Sequence, residues 1–325
     1  MSTFTKYDAN TPGSVLVRDY AAQIAGKTVL VTGASPNSIG YYFLSAIAVA
    51  DPALLIIGVR DIAKGEATAA HLKTINPNVP TRVLQIDLAS FASVRKAAAE
   101  VNAYPEPLEV LVNNAGIMAV PTYTKTKDGH EIQLQVNHLS PFLFTNLLIN
   151  NLVSVRGRVV NVSGIGYGLG HIRYLDYNFH DGESYDPWRA YGQSKTGPML
   201  FALSLAEKLG SSGLQAFSAN PGISATTSLG RHVTDWTTLV VYFNAHKVQG
   251  NAEGFAPWGY ADNDLIVATY VLAAFSPDIV EHNGKYLEGA QVADEDTILP
   301  WALGSREARK AWALSEKLIG QKFDH

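Results

Sequence analysis

Short, continuous apolar runs alternate along this chain with longer stretches of mixed character. Thr28-Val29-Leu30-Val31, Leu54-Leu55-Ile56-Ile57-Gly58-Val59, Arg82-Val83-Leu84-Gln85-Ile86, Leu108-Glu109-Val110-Leu111-Val112 and Arg158-Val159-Val160-Asn161-Val162 each have the length of a strand. Their apolar residues are consecutive, not alternating, which predicts strands covered on both faces. Helices are expected from about Ile39, over Ala63 to Leu72, from a capping Ser90 to Val101, and around Ser140 to Leu152. Leu214 to Ser218 and Gly284 to Leu287 are further strand candidates. Strands separated by helices predict an α/β fold built on a parallel sheet with helices on both faces.

Asp186-Pro187 opens the longest expected helix, with an acidic N-cap and proline at the first helical position. It should run to about Leu209 and end near Gly210 or Gly213. Pro198 inside it should free the carbonyl of Ser194 and bend the helix just after Lys195. No linker or repeat interrupts the pattern, so residues 1–325 read as one domain, with 1–25 as an N-terminal extension. The stretch 223–264 is the least regular and reads as a lid over a substrate.

Composition narrows the classes. Of 325 residues, 47% are hydrophobic and 17% charged, enough for a sizeable core. A net charge of −4 offers no footprint for nucleic acid or an anionic membrane. Cysteine is absent, which excludes thiol catalysis and disulfides and fits a reducing, cytoplasmic setting. Tyr41 to Val59 is broken by Asp51-Pro52 and reads as helix, turn and strand, not as a membrane span. The start of the chain lacks the pattern of a secretory signal. The nine histidines include no HExxH and no pair four residues apart, so a metal site is not expected.

Thr32-Gly33-Ala34-Ser35-Pro36-Asn37-Ser38-Ile39-Gly40 lies between the first strand and the first long helix. Such a turn seats phosphates because glycine admits close backbone approach and the helix N-terminus offers free N–H groups. Gly33, Ser35, Ser38, Ile39 and Gly40 are the candidate contacts; an ordinary strand-to-helix turn is the plainer alternative. An acid that reads a ribose 2′-hydroxyl is expected roughly 20 residues further on. Arg60 stands there instead, after Val59. Its fork suits a 2′-phosphate and hence NADP(H), against a solvated arginine beside Asp61.

Tyr191 and Lys195 in Tyr191-Gly192-Gln193-Ser194-Lys195 stack on one helix face. Reduction of a carbonyl by hydride needs a proton donor at the oxygen, and a nearby ammonium brings a tyrosine hydroxyl into that role. Ser163, at the end of a strand, could hydrogen-bond the same oxygen.

With these motifs in order, the chain resembles the short-chain dehydrogenase/reductase family over about residues 26–230. Asn113-Asn114-Ala115-Gly116 resembles that family's NNAG segment, Asn161-Val162-Ser163 and Tyr191 to Lys195 its serine and YxxxK motifs, and Asn137 its helix asparagine. Asp87-Leu88 is similar to its adenine contact, and Pro221-Gly222 with Thr226 to its segment beside the nicotinamide. Tyr185-Asp186-Pro187-Trp188 and Val59-Arg60-Asp61 point to the retinol-dehydrogenase-like branch. Val15 to Gly26 and Trp301 to Leu318 resemble its fungal members, which suggests secondary metabolism.

The resemblance implies a Rossmann-type doubly wound sheet and an NADP(H)-dependent enzyme interconverting a carbonyl and an alcohol. Tyr191 would be general acid or base, Lys195 would lower its pKa and hold the nicotinamide ribose, Ser163 would polarise the carbonyl, and Asn137 would support a water relay to Lys195. Asn114, Ala115 and Gly116 would flank the cofactor. Two departures stand out: the phosphate turn has an extra residue with Ser38 where the family's middle glycine falls, and Pro198 follows the lysine. The turn resembles that of divergent enoyl reductases, but Trp188 occupies the place of their tyrosine.

Trp236, Leu239, Val240 and Phe243 fall at helical spacing and are expected to line an apolar pocket or pack a lid, joined by Tyr167, Tyr174, Trp258 and Tyr260. A bulky apolar or aromatic substrate follows. His138 reads as a packed helix histidine more readily than as a second proton carrier. A catalytically silent NADP(H)-binding sensor or scaffold is the rival from another class, and internal cofactor use as in epimerases a third. Both homodimer and monomer are compatible with the sequence.

Overall fold

The computed structural model describes residues 6–224, 226–248, 250 and 259–325. Eight strands, β1 (Thr28–Thr32), β2 (Leu54–Val59), β3 (Thr81–Gln85), β4 (Val110–Asn113), β5 (Arg158–Val162), β6 (Gln215–Asn220), β7 (Tyr286–Glu288) and β8 (Gln291–Val292), form one sheet. The spatial order is β3-β2-β1-β4-β5-β6-β7-β8. Every pair is parallel except β7 with β8, a short antiparallel edge that the sequence pattern does not announce. Strand order reverses between β1 and β4, where a crevice opens at the carboxyl ends of a doubly wound sheet.

The helices are α1 (Gly13–Asp19), α2 (Ala21–Ile24), α3 (Ile39–Ile47), α4 (Ile62–Ile75), α5 (Phe91–Asn102), α6 (Ile132–Leu134), α7 (Ser140–Leu147), α8 (Ile149–Ser154), α9 (Pro187–Leu209), α10 (Thr237–Val248), α11 (Asn263–Phe275) and α12 (Ser305–Ile319). Alternate strand residues feed opposite cores. Val29, Val31, Leu55 and Ile57 pack with Phe43, Leu44 and the apolar length of α11. Leu30, Ile56, Leu111 and Val159 pack on the other face with α5, α7, α9 and α12. Each such side chain, taken wholly out of water, stabilises by roughly 1.5–3 kcal/mol before entropy is counted, so consecutive apolar strand residues are retained on both faces.

Local chemistry sets several helix starts. Ser90 Oγ accepts from the Ser93 N–H at the head of α5, and Asp186 accepts from Trp188 and Arg189 at the head of α9. α9 runs unbroken to Leu209 with Pro198 inside it. The expected helix over Ser140 to Leu152 is two, joined at Leu148, and a π-helical turn, Gln135–Leu139, precedes them. Asn137 sits in that turn. Wide π turns recur at functional sites because the extra residue re-aims side chains. α11 escapes sequence periodicity because Ile266 to Phe275 are all buried, leaving no polar stripe.

Candidate active site

The turn after β1 is shaped by Gly33 and by its neighbours just after β4. Gly33 has φ +70°, and a Cβ there would sit 2.7 Å from the Ala115 Cα. No other residue type fits both constraints. The Thr32 hydroxyl accepts from the N–H groups of Asn114 (3.1 Å) and Ala115 (3.2 Å). The Asn114 Nδ2 donates back to the carbonyls of Thr32 (2.8 Å) and Gly33 (3.2 Å). Glycine turn and NNAG segment are therefore one hydrogen-bonded unit.

Within the turn, Asn37 takes a left-handed φ of 63°. Ser38 is the N-cap of α3, its Oγ accepting from the Tyr41 N–H at 3.1 Å. Ser35, Ile39 and Gly40 lie in the turn and first helical turn, as expected. Arg60 follows β2, is exposed, and forms no ion pair among the described residues. Asp61, its neighbour, is instead the N-cap of α4 and accepts from Ala63. Asp87 accepts from the Ala89 N–H just after β3, while Leu88 is buried and its carbonyl accepts from Ser140.

Four groups converge below the turn. Ser163, Tyr191, Lys195 and Asn137 are all buried. The Ser163 hydroxyl donates to the Lys195 carbonyl at 2.7 Å, and the Lys195 Nζ donates to the Val162 carbonyl at 3.1 Å. That ammonium lies 5.8 Å from the centre of the Tyr191 ring. The Asn137 Oδ1 accepts from the Ile117 N–H at 2.9 Å, and its Nδ2 donates to the Ile117 carbonyl (2.9 Å) and to Ser194 Oγ (2.8 Å). Ser194 then donates to the Tyr191 carbonyl at 2.7 Å. A Cβ at Gly116 would stand 3.2 Å from Asn137 Oδ1 and 3.6 Å from Lys195 Nζ, so the NNAG segment reaches this buried cluster.

Burial dominates the titration of the pair. It pushes the Tyr191 hydroxyl well above its ordinary value and the Lys195 ammonium down to about 8. The carbonyl that Ser163 engages belongs to Lys195, one residue beyond the Ser194 carbonyl expected to be freed by Pro198.

The surroundings of Tyr191 are apolar: Ala119, Leu169, Trp188 and Leu239, with Met118, Val233, Tyr242 and Phe243 against them. The Tyr191 ring packs against Gly166, where a Cβ would stand only 2.4 Å from a ring carbon, so the missing side chain makes room for it. Trp236 is half exposed, with its ring 5.8 Å from Trp188. Two of the other expected aromatics lie elsewhere. Tyr167 packs with Met199 and Tyr286, and Tyr174 with Leu200 and α12, each in a cluster separate from that of Tyr191. Among the described residues Val240 joins no apolar cluster; Tyr260 is exposed, and Trp258 lies outside the described residues. Pro221, Gly222 and Thr226 follow β6; Thr226 is exposed and donates to Asn263 at 2.9 Å.

This order of glycine turn, paired asparagines, strand-end serine and tyrosine–lysine helix has a counterpart among known proteins. A family model for short chain dehydrogenases matches residues 27–178. Human retinol dehydrogenase 13 is 34% identical over 323 residues, covering 94% of this chain and 91% of that protein. The chain belongs to the short-chain dehydrogenase/reductase family. Within it, the retinol-dehydrogenase-like branch is the match. The short-chain dehydrogenase/reductase prx1 of Penicillium roqueforti is 35% identical over 306 residues, covering 90% of this chain and 85% of that one. A crystal structure of an uncharacterised Mycobacterium paratuberculosis protein superposes with a TM-score of 0.70 at 29% identity, over 99% of this chain and 100% of the other.

Sequence reasoning missed several parts of this dehydrogenase/reductase site. Thr32, Ser194 and Tyr270, whose hydroxyl donates to Asn114 at 2.9 Å, are all hydrogen-bonded to motif residues. Asn113 and Asn161 are in register on β4 and β5 and bond to each other at 2.9 Å. Two asparagines at matching strand ends were a usable signal; the Tyr270 contact, from a helix far along the chain, carried none. His138 is fully buried with its Nε2 2.8 Å from Ser315 Oγ, a packed histidine in contact with α12. Among the described residues no helix is long and apolar enough to cross a membrane.

Proposed function

We propose that this protein is an NADP(H)-dependent oxidoreductase that interconverts a carbonyl and an alcohol on a bulky apolar or aromatic substrate. The observation that carries the reading is the convergence of Ser163, Tyr191, Lys195 and Asn137, all buried, beneath a glycine turn fused to the NNAG segment. A passive cofactor binder would have no use for a proton-transfer array.

The residues fit a dinucleotide. The Gly33 cradle admits no Cβ, the head of α3 offers N–H groups, and Arg60 holds a charge without a carboxylate partner among the described residues. The Ser38 hydroxyl, accepting in the cap, retains its own hydrogen for a phosphate. Asp87 and Leu88 would border the adenine, and Pro221, Gly222 and Thr226 the nicotinamide end. When bound, the cofactor supplies or accepts the hydride.

The protein's own groups would handle the proton. Tyr191 would give its hydroxyl proton to the developing alkoxide in reduction and take one in oxidation. A lysine pKa of about 8 leaves the ammonium charged at neutral pH, so Lys195 would offset the cost of a tyrosinate in a buried site. Ser163 would turn its O–H from the Lys195 carbonyl to the substrate oxygen. Asn137, its amide tied to Ile117 on both sides, would keep the π turn fixed beside Lys195. Leu239 and Phe243 of α10, with Met118 and Trp188, would exclude water and hold an apolar substrate.

The test is a panel of ketones, aldehydes and alcohols assayed with NADPH and with NADH. Net cofactor oxidation or reduction with bulky apolar members, faster with the phosphorylated cofactor, is the expected outcome. A clear NADH preference would remove the Arg60 assignment, and a strict preference for small charged carbonyls would remove the pocket assignment.

A further inference from the structure

Tyr270 belongs to none of the motifs, yet it reaches the centre of the cofactor end. It lies on α11, wholly buried, with its ring 5.6 Å from Phe43 on α3. Its hydroxyl donates to the Asn114 Oδ1 at 2.9 Å. On the other side of the same amide, Nδ2 donates to the carbonyls of Thr32 and Gly33. This network works in one orientation only. A flipped amide would set its oxygen against two carbonyl oxygens, and a tyrosine hydroxyl at Oδ1 favours the unflipped form.

α11 is itself anchored at both ends. The Asp264 carboxylate, in its first turn, accepts from the Ser14 N–H (2.7 Å) and hydroxyl (2.6 Å) of the N-terminal segment. At the far end the Arg158 guanidinium donates to the carbonyls of Ala273 (3.1 Å) and Ser276 (2.6 Å). Tyr270 is thus presented to Asn114 from a helix fixed to the sheet and to the N-terminal extension.

We propose that Tyr270 is a positioning residue for the cofactor turn, acting through Asn114. It fixes the amide that clamps the Thr32 and Gly33 carbonyls, and so holds the turn's N–H groups ready for a phosphate. The inference rests on the reading of the Gly33 turn as the phosphate seat.

The experiment compares the full-length protein with Tyr270→Phe, Asn114→Ala and the double variant. Tyr270→Phe keeps the ring against Phe43 and removes one oxygen. Hydrogen exchange at residues 33–40 and at Ala115, without cofactor, reads the turn directly; NADP+ titration by protein fluorescence reads its consequence. Tyr270→Phe should exchange faster there and bind NADP+ about fivefold to tenfold more weakly, the loss of about one hydrogen bond, with kcat at saturating cofactor little changed. The double variant should be no worse than Asn114→Ala. Native exchange and native affinity in Tyr270→Phe would overturn the proposal, as would a penalty that adds in full to that of Asn114→Ala. If Tyr270→Phe does not fold, Asn114→Ala must still show the faster exchange, or the clamp is wrong. A native protein that binds neither NADP+ nor NAD+ would sink the cofactor reading instead, and the exchange data would still judge the clamp.

Discussion

The hydroxyl of Ser163 and the backbone carbonyl of Lys195 are joined at 2.7 Å, tying the end of β5 to the middle of α9. The serine proposed to face a substrate oxygen is thereby engaged with the protein backbone. Ser163→Ala should lose both functions. Removing one donor to a developing oxyanion lowers kcat by about a hundredfold or more, while the lost backbone bond costs on the order of 1 kcal/mol of stability. Steady-state kinetics with urea denaturation checks both, and unchanged kcat would deny Ser163 its role.

Gly166 tests how tightly the tyrosine is placed. Its absent side chain is where the Tyr191 ring lies, so Gly166→Ala must displace the ring. Displacement by about 1 Å can cost about a hundredfold in rate. The expected result is a fall in kcat with NADP+ affinity preserved. Loss of affinity with intact kcat would mean that the ring position does not govern turnover.

Arg60 should decide between cofactors. It has no carboxylate partner among the described residues, and Asp61 is engaged in capping α4. Arg60→Leu should raise the KM for NADPH by about tenfold to a hundredfold, the worth of a charge-assisted hydrogen bond, and leave that for NADH nearly unchanged. Equal effects on both would show that the guanidinium does not read a 2′-phosphate.

His138 predicts a pH dependence of stability. Burial lowers its pKa from 6.5 to about 4. A base with a depressed folded pKa binds its proton more readily when unfolded. Its contribution is therefore complete above about 6.5 and is lost as pH falls through about 4. His138→Leu should be less stable than the native protein at pH 7, having lost the Ser315 contact, and the gap should close between pH 6.5 and 4. A gap independent of pH would mean that the imidazole titrates normally.

Most of the sheet could be read from the sequence because its strands are buried on both faces, and consecutive apolar residues mark them. β2 and β5 fall on their expected residues. α9 starts at Pro187 and ends at Leu209 as its capping chemistry dictates. The weaker parts have physical causes. α11 is apolar all round, the π turn at Gln135–Leu139 has no compositional mark, and β8 is only two residues long. At the site, Tyr191 and Lys195 announced themselves by helical spacing. Their supports did not: Ser194 binds Asn137 and Tyr270 binds Asn114 across long stretches of chain, and no local pattern encodes such pairs.

The most direct measurement is turnover by Tyr191→Phe with NADPH and an accepted substrate, alongside its NADP+ affinity. The ring stays against Gly166 and only the oxygen proposed to carry the proton is lost. The account predicts native cofactor binding with turnover abolished. Near-native turnover by that variant would contradict it.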